Sequence, residues 1–336
     1  IALKITIIGI SFPTLTIGLL PDYSSIGLMG TLILILCRLL QGFFVAGEYD
    51  GAAIYIMEHI GKEYHYTASS IIRTTGVIGL LVGIASINFF NSGIFPQWGW
   101  RIPFLLSLPL ALITVYFRKY MEETPDFDKA TTQSEPKTKI LHLIKNQYRV
   151  ILLAILLSGG FGVTYQISII FMKQYLPIID PKTAEIIKVI SITMVLLFGL
   201  TMPIAGILAD KFNHLIVIKV SFIATIITSF VMLLASLYNY LNLLLMSAIF
   251  LSIAVAPFNA LAHGIIAKAF LTNCRYRGLS LGHTIGSMLM SGTANFVCLA
   301  VIKITSISFF PMLYLSFFAL ICYLSIIVIS TRYHPK

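Results

Sequence analysis

The sequence carries little charge and few acidic residues for its length. Of 336 residues, 11% are Asp, Glu, Lys or Arg, and only 13 are Asp or Glu. A soluble domain has about 25% charged residues, so this chain could not cover a water-facing surface of its size. The apolar fraction is 58%. Composition therefore excludes a soluble enzyme, a disordered protein and a secreted disulfide scaffold, and it indicates a chain that crosses a membrane several times.

Sequence motifs of enzymes and pumps are also missing. The chain has no G-x-x-x-x-G-K-[ST] loop, no H-E-x-x-H and no G-x-S-x-G, which excludes an ATP-driven pump and the commonest hydrolase chemistries. Its four cysteines form no C-x-x-C pair, so neither a zinc site nor a redox centre is indicated. We expect no enzyme activity, no cofactor and no bound metal.

The apolar runs that are present predict ten helices. They fall near residues 1–20, 27–58, 66–90, 102–119, 148–174, 185–209, 214–237, 241–270, 278–301 and 307–331. A helix needs about 20 apolar residues to cross a bilayer. The stretch between the fourth and fifth helices is charged and contains two prolines. We therefore predict an all-α membrane protein with four spans in residues 1–121, a linker at 122–147 and six spans in 148–336.

Basic residues predict how the chain lies in the membrane. The net charge of +10 is spread between the apolar runs, which argues against nucleic-acid binding and for membrane orientation. If the linker is cytoplasmic, 16 Lys and Arg lie on its side and 5 on the other. This bias predicts a multi-pass membrane protein with both ends of the chain in the cytoplasm.

Four spans followed by six suggest a six-plus-six transporter without its first two helices. The chain also begins with Ile rather than Met. We expect a fragment that does not transport by itself, because a cavity walled by both halves would be open along one side.

The second predicted helix carries the most informative of the intramembrane polar residues. Gln41, Glu48 and Tyr55 recur every seven residues and so share one helical face, and Arg38 precedes them. A charged residue at the centre of a span costs about 2.5–3.5 kcal/mol on insertion scales. This face is predicted to line a wet cavity, with Glu48 as a coupling carboxylate and Arg38 as its counter-charge. The alternative is a buried ion pair that only orders the bundle.

Three motifs resemble one family of transporters. They are Arg38-x-x-Gln41-Gly42 through Gly47-Glu48-x-x-Gly51-Ala52, then Trp98-Gly-Trp-Arg-Ile-Pro-Phe104, and Glu122-Glu-Thr-Pro-Asp-Phe127. Together they are similar to the metabolite:proton symporters of the major facilitator superfamily, nearest to the proline/betaine transporters. The resemblance covers nearly the whole chain and implies spans three to twelve of a 6+6 fold.

The resemblance also implies a latch at the cytoplasmic surface. Asp210 and Lys211 match the Asp and the first basic residue of the family's loop motif, whereas Asn213 and His214 stand where Gly-Arg is usual. The alternative is that this charged pair marks the membrane surface only.

Four further polar positions are predicted to face the cavity. They are Tyr165, Gln166, Asn259 and His263. Asn259 and His263 are four residues apart and share a helical face. An imidazole there can carry protons, or it can be a buried histidine whose hydrogen bonds are merely satisfied.

These features predict a secondary transporter that couples proton entry to uptake of a small osmolyte such as proline or betaine by alternating access. Within transporters, a dicarboxylate or other organic-acid symporter is the alternative. From another class, a non-transporting remnant or a membrane partner subunit would share the composition. We expect the chain to act as a monomer in the lipid bilayer, with a small polar solute and protons as its ligands.

Overall fold

The computed structural model describes residues 2–118, 120, 140–270 and 274–332. Its long helices are numbered α1 to α10 in chain order. They are α1 (Ala2–Leu19), α2 (Leu28–His59), α3 (His65–Phe90), α4 (Ile102–Leu105 and Ser107–Arg118), α5 (Ile140–Tyr165, Gln166–Phe171 and Met172–Ile179), α6 (Thr183–Leu208 and Ala209–Asn213), α7 (His214–Leu237), α8 (Leu241–Ala269), α9 (Arg275–Gly286, Ser287–Ser291 and Gly292–Thr305) and α10 (Phe310–Arg332).

The helices have the length and composition of membrane spans. Within the described residues, seven helical stretches are long and apolar enough to cross a bilayer, and one of them, Thr183–Leu237, contains both α6 and α7. Thr6–Leu19 and Leu28–Phe44 are shorter apolar helices. The predicted all-α membrane fold is therefore confirmed. α5 begins at Ile140, inside the range expected for the linker, and its backbone leaves helical geometry at Gln147 (φ −122°, ψ 26°).

The helices form two groups, α1–α4 and α5–α10, which meet along α2 and α3. In the first group α1 packs on α2 and α4, and in the second α5 packs on α9 and α10, while α8 packs on α6 and α7. Between the groups, α3 contacts α6 and α8, and α2 contacts α9. The cavity-forming surfaces of a transporter are expected along this boundary.

α5 and α9 approach each other with their backbones nearly in contact. A Cβ added at Gly286 would lie 2.7 Å from the backbone nitrogen of Gly159, and one added at Gly282 would lie 2.5 Å from the Cβ of Ala154. Small residues allow such close helix packing in lipid, where van der Waals contact replaces the hydrophobic driving force. Any side chain at these two positions would push the helices apart.

Three helices contain a π-helical turn. These turns are Gln166–Phe171 in α5, Ala209–Asn213 at the end of α6 and Ser287–Ser291 in α9. A π turn widens the backbone and interrupts the i→i−4 hydrogen bonds, and such turns are common near functional sites. Here they occur only in helices of the second group, as far as the chain is described.

One end of the molecule is called the linker side. It is the end at which α3 begins and at which α6, α8 and α10 terminate. The close contacts of α3 with α6 lie in the half of α3 nearest this side, from Tyr66 to Val77. Farther along α3, an added Cβ at Gly79 or Gly83 would meet no heavy atom within 4 Å. The two groups are therefore in tight contact at the linker side of this boundary.

Candidate functional site between the two helix groups

A buried carboxylate joins the two helix groups. Asp50 of α2 has no exposed surface. Its Oδ1 lies 3.0 Å from Nε2 of His263 in α8 and 2.8 Å from Nδ1 of His283 in α9. The His263 side chain is 2% exposed and that of His283 15%. The three residues form the buried triad, which ties the first group to two helices of the second.

The triad lies well inside the membrane-spanning part of the bundle. At 1.5 Å per residue, its members are roughly 9–14 Å from the linker-side ends of their helices. Water is scarce at that depth, so an ionised carboxylate needs hydrogen-bond donors to remain charged. The two imidazoles supply them.

Hydrogen bonding in the triad fixes where the protons sit. An ionised carboxylate accepts hydrogen bonds and cannot donate, so Nε2 of His263 and Nδ1 of His283 must both carry hydrogen while Asp50 is charged. A proton added to the carboxylate would turn one acceptor oxygen into a donor. The contact between the groups therefore depends on the number of protons held by the triad.

One carboxylate and two imidazoles are also a donor set for divalent metals, and the three possible ligand atoms lie within 4.8 Å of one another. Ligands at 2.0–2.1 Å around a tetrahedral ion would be roughly 3.3 Å apart. The Oδ1–nitrogen distances of 2.8 and 3.0 Å are shorter than this and match hydrogen bonds. The geometry thus favours a proton site over a metal centre.

Phe161 of α5 separates the triad from a positive charge. Its ring centroid lies 5.7 Å from that of His263 and 5.8 Å from that of His283. The guanidinium carbon of Arg73, in α3, lies 4.5 Å from the same ring centroid. Arg73 is therefore held by a cation–π contact, and its charge raises the electrostatic cost of a further positive charge on the imidazoles.

A second polar contact closes the linker side. Asp210, in the π turn that ends α6, accepts hydrogen bonds from the backbone nitrogens of Tyr66 (3.0 Å) and Thr67 (2.7 Å). These are first-turn residues of α3, whose N–H groups have no partner within the helix. A carboxylate there caps α3 and also interacts favourably with its macrodipole. We call this contact the Asp210 latch.

Neighbouring side chains from three more helices surround the latch. The ring of Tyr66 stacks on His214 of α7 at 4.9 Å, and His214 Nε2 lies 2.9 Å from the Ser330 hydroxyl of α10. Lys268 of α8 places its ammonium 4.0 Å from the Tyr66 ring centroid. His214, one of the two residues that depart from the loop motif, thus takes part in the closed contact.

Farther into the boundary, Ser69 bonds α3 to α8. Its hydroxyl donates to the carbonyl oxygen of Ala260 (2.8 Å) and accepts from the nitrogen of Gly264 (3.2 Å). On the other flank, a Cβ at Gly206 of α6 would lie 2.8 Å from the carbonyl oxygen of Tyr66. The linker side is therefore sealed by one polar cap and by direct backbone contact.

Removing the Asp210 carboxylate should loosen this seal. Asp210→Ala leaves the nitrogens of Tyr66 and Thr67 without their acceptor, at a cost of about 1–2 kcal/mol. Asp210→Asn keeps one acceptor oxygen and should cost less. In detergent, proteolysis of the loop between α2 and α3 should be fastest in Asp210→Ala, slower in Asp210→Asn and slowest in the wild type. Equal rates for all three proteins would contradict a latch and favour the alternative, in which the charged pair only marks the membrane surface.

Of the residues predicted on the face of α2, those whose side chains are described contact neighbours outside the triad. Arg38 donates to Oε1 of Gln41 (3.3 Å), and Gln41 donates to the hydroxyl of Thr14 in α1 (2.7 Å). The ring of Tyr55 lies 4.3 Å from that of His59. The Glu48 side chain is outside the described part of the chain. Helical geometry places position 48 about 200° around the axis from position 50.

The other predicted residues are scattered along the second group. His263 belongs to the triad, whereas the buried Asn259 contacts the carbonyl oxygen of Val255 in its own helix (3.4 Å). Tyr165 packs against Phe198 at 5.5 Å, and Gln166 begins the π turn of α5. Lys211 is exposed and lies 5.7 Å from the ring of Phe212.

Sequence reasoning missed Asp50, His283, Phe161 and Arg73. Asp50 and Arg73 were visible as ionisable residues within predicted spans, a signal that by itself marks functional positions. Nothing in the sequence pairs Asp50 with imidazoles more than 200 residues away.

Comparison with known proteins identifies the fold. The family model of the Major Facilitator Superfamily matches residues 3–270. The chain belongs to the major facilitator superfamily. That superfamily consists of multi-pass membrane transporters, as the resemblance of the motifs implied.

Curated relatives within the superfamily are proline/betaine transporters. The chain is 28% identical over 338 residues to that of Salmonella typhimurium, covering 95% of this chain and 66% of the relative. The Escherichia coli K12 transporter is 28% identical over 306 residues, covering 86% and 61%. A putative proline/betaine transporter of Staphylococcus aureus is 30% identical over 335 residues, covering 97% and 71%. The chain thus spans about two thirds of the length of these superfamily members.

Solved structures of other superfamily members share the fold. The proton:xylose symporter XylE superposes with a TM-score of 0.75 at 15% identity, covering 96% of this chain and 78% of that one. The Escherichia coli fucose:proton symporter FucP gives a TM-score of 0.71 at 10% identity, covering 98% and 84%.

Proposed function

We propose that this superfamily member is a proton-coupled secondary transporter that takes up a small osmolyte such as proline or betaine. The observation that carries the proposal is the buried Asp50 carboxylate, which is bonded to imidazoles of the opposite helix group. A group of this kind can change its charge by one proton and is shared by the two parts that must move apart. The names of the relatives support the choice of substrate.

In this proposal the proton acts on the contact between the helix groups. The charged groups that surround the site are Asp50 on α2, His263 on α8, His283 on α9 and, across Phe161, Arg73 on α3. A proton on the carboxylate removes the negative charge that accepts from both imidazoles. The polar attraction between α2 and the helices α8 and α9 then weakens, which favours separation of the groups.

The second part of the proposal concerns the gate. The Asp210 latch and the backbone contacts of Gly206 would close the linker side while the opposite side admits substrate. Alternating access would break these contacts and form others at the far end. The excess of basic residues supports a cytoplasmic linker side. The predicted residues Arg38, Gln41, Glu48, Tyr55, Tyr165, Gln166 and Asn259 remain candidates for the substrate pathway.

The proposal is tested by uptake into membrane vesicles that contain the complete protein encoded by its gene rather than residues 1–336 alone. Labelled proline, betaine and α-ketoglutarate are offered separately, with an imposed pH gradient and after an ionophore has dissipated it. We expect saturable, gradient-dependent accumulation of proline or betaine. Accumulation of α-ketoglutarate alone would move the substrate to organic acids. No accumulation above vesicles without the protein would contradict transport.

A further inference from the structure

Phe161 is the one large side chain in a Gly-Gly-Phe-Gly segment of α5. An added Cβ at Gly159 would lie 3.0 Å from a carbonyl oxygen of α9, and one at Gly160 would lie 3.2 Å from a carbonyl oxygen of α10. At Gly162 it would lie 2.7 Å from a side-chain carbon of α9. Small residues allow this close approach, so the backbone on both sides of Phe161 is fixed against two neighbouring helices.

The ring of Phe161 lies between polar groups of the two helix groups. The side chain is buried, and its ring centroid lies within 5.8 Å of the ring centroids of both His263 and His283. The guanidinium carbon of Arg73 lies over the same ring at 4.5 Å. A phenyl ring neither donates nor accepts a proton. The contact therefore offers no route for a proton from the triad to α3.

Polar residues of α3 lead from the linker side to this ring. Thr67, Ser70 and Arg73 follow one another at intervals of three residues and so share one side of the helix. The nitrogen of Thr67 is held by the Asp210 latch, and the hydroxyl of Ser70 donates to the carbonyl oxygen of Thr67 (2.7 Å). Arg73 is roughly 12 Å from the linker-side end of α3, at the depth of the triad. Phe161 is thus an apolar side chain between the triad and a polar side of α3 that reaches the linker side.

We propose that Phe161 is the barrier that keeps a proton on the triad until the linker side opens. The inference rests on the proposed function, in which Asp50 takes up the coupling proton. While the helix groups are in contact, the ring keeps water out of the space between the triad and α3, and a proton does not cross an apolar contact without water. Phe161 belongs to the second group and Arg73 to the first, so separation of the groups removes α3 from the ring. The carboxyl group of Asp50 then gives its proton to water from the linker side and becomes a carboxylate.

The test measures proton leak into liposomes that contain the complete protein, under an imposed pH gradient and without substrate. Phe161→Ala should increase the rate of proton entry by at least about fivefold, since water admitted to the contact removes the cost of an unsatisfied polar group. Phe171→Ala makes the same change at another buried phenylalanine of α5, whose ring lies 5.9 Å from that of Tyr175. It should leak no faster than the wild type. Adding Asp50→Asn to Phe161→Ala should restore the wild-type rate, because the leaking proton passes through the triad.

A second pair of variants keeps the test decisive if Phe161→Ala does not fold. Phe161→Leu and Phe161→Gln introduce side chains of similar size, but only Gln carries hydrogen-bonding groups, so Gln should leak and Leu should not. Equal rates in this pair, equal rates in Phe161→Ala and Phe171→Ala, or a leak that persists with Asp50→Asn would overturn the barrier. The proposed function is decided by a different measurement, which is gradient-driven accumulation of substrate by the wild type.

Discussion

Asp50→Asn should abolish accumulation of substrate while leaving the protein folded in the membrane. Asn has the shape of Asp but does not exchange a proton, so the triad could no longer couple proton entry to movement of the helix groups. One proton moving down a gradient of one pH unit supplies about 1.4 kcal/mol, enough for roughly tenfold accumulation. The substrate concentration inside the vesicles should therefore fall from as much as about ten times the outside concentration to about the outside concentration. Exchange of bound substrate should be retained.

Two matched variants make this result specific. Asp22→Asn also removes a carboxylate that contacts a cation, since Asp22 lies 2.7 Å from Arg101, but this carboxylate is 70% exposed and away from the triad. It should accumulate substrate normally. Glu48→Gln tests the residue that the helical pattern of α2 predicted. Loss of accumulation in Glu48→Gln, together with normal accumulation in Asp50→Asn, would show that the proton site is not the triad.

Gly206→Ala should shift the protein away from the conformation closed at the linker side. An added Cβ would lie 2.7 Å from the Cβ of Ser70 and 2.8 Å from the carbonyl oxygen of Tyr66. Overpacking of this kind costs about 1–3 kcal/mol, so the ratio of closed to open protein should decrease by roughly 5- to 150-fold. A cysteine introduced at Thr67 should then react faster with an impermeant thiol reagent applied from the linker side.

Gly79→Ala is the control for this experiment. It makes the same chemical change in α3, but the new Cβ would meet no heavy atom within 4 Å. Both substitutions lower the conformational entropy of the unfolded chain alike, so a difference between them reports the contact. Equal labelling rates in Gly206→Ala and Gly79→Ala would mean that α3 and α6 do not form the gate.

The helices were predictable because the bilayer leaves the backbone few alternatives. A run of about 20 apolar residues must satisfy its own hydrogen bonds, and a helix does so within one segment. The boundaries of α3 and α7 agree with the hydropathy pattern to within one residue. The bend at Gln147 and the π turns depend on packing against neighbouring helices, which hydropathy does not encode.

The site was less predictable, because each of its contacts joins distant parts of the chain. Periodicity in α2 selected the face of Gln41, Glu48 and Tyr55, and so it passed over Asp50 on another face. His263 was a candidate from its position in a span, and its role stays a prediction. The Asp210 motif indicated a latch, yet its acceptors bind backbone nitrogens of Tyr66 and Thr67. Every residue except proline has a backbone N–H group, so the sequence cannot identify which residues bind the Asp210 carboxylate.

The close packing of α5 against α9 has a consequence for distance measurements in solution. Phe161 and His283 lie on these two helices and should move as one rigid unit, since Gly282 and Gly286 hold the backbones together. Asp50 belongs to the other group. A pair of spectroscopic labels on α5 and α9 should therefore keep a constant separation through the transport cycle, whereas a pair on α2 and α9 should show two distances. The first pair is an internal length standard against which the second can be calibrated.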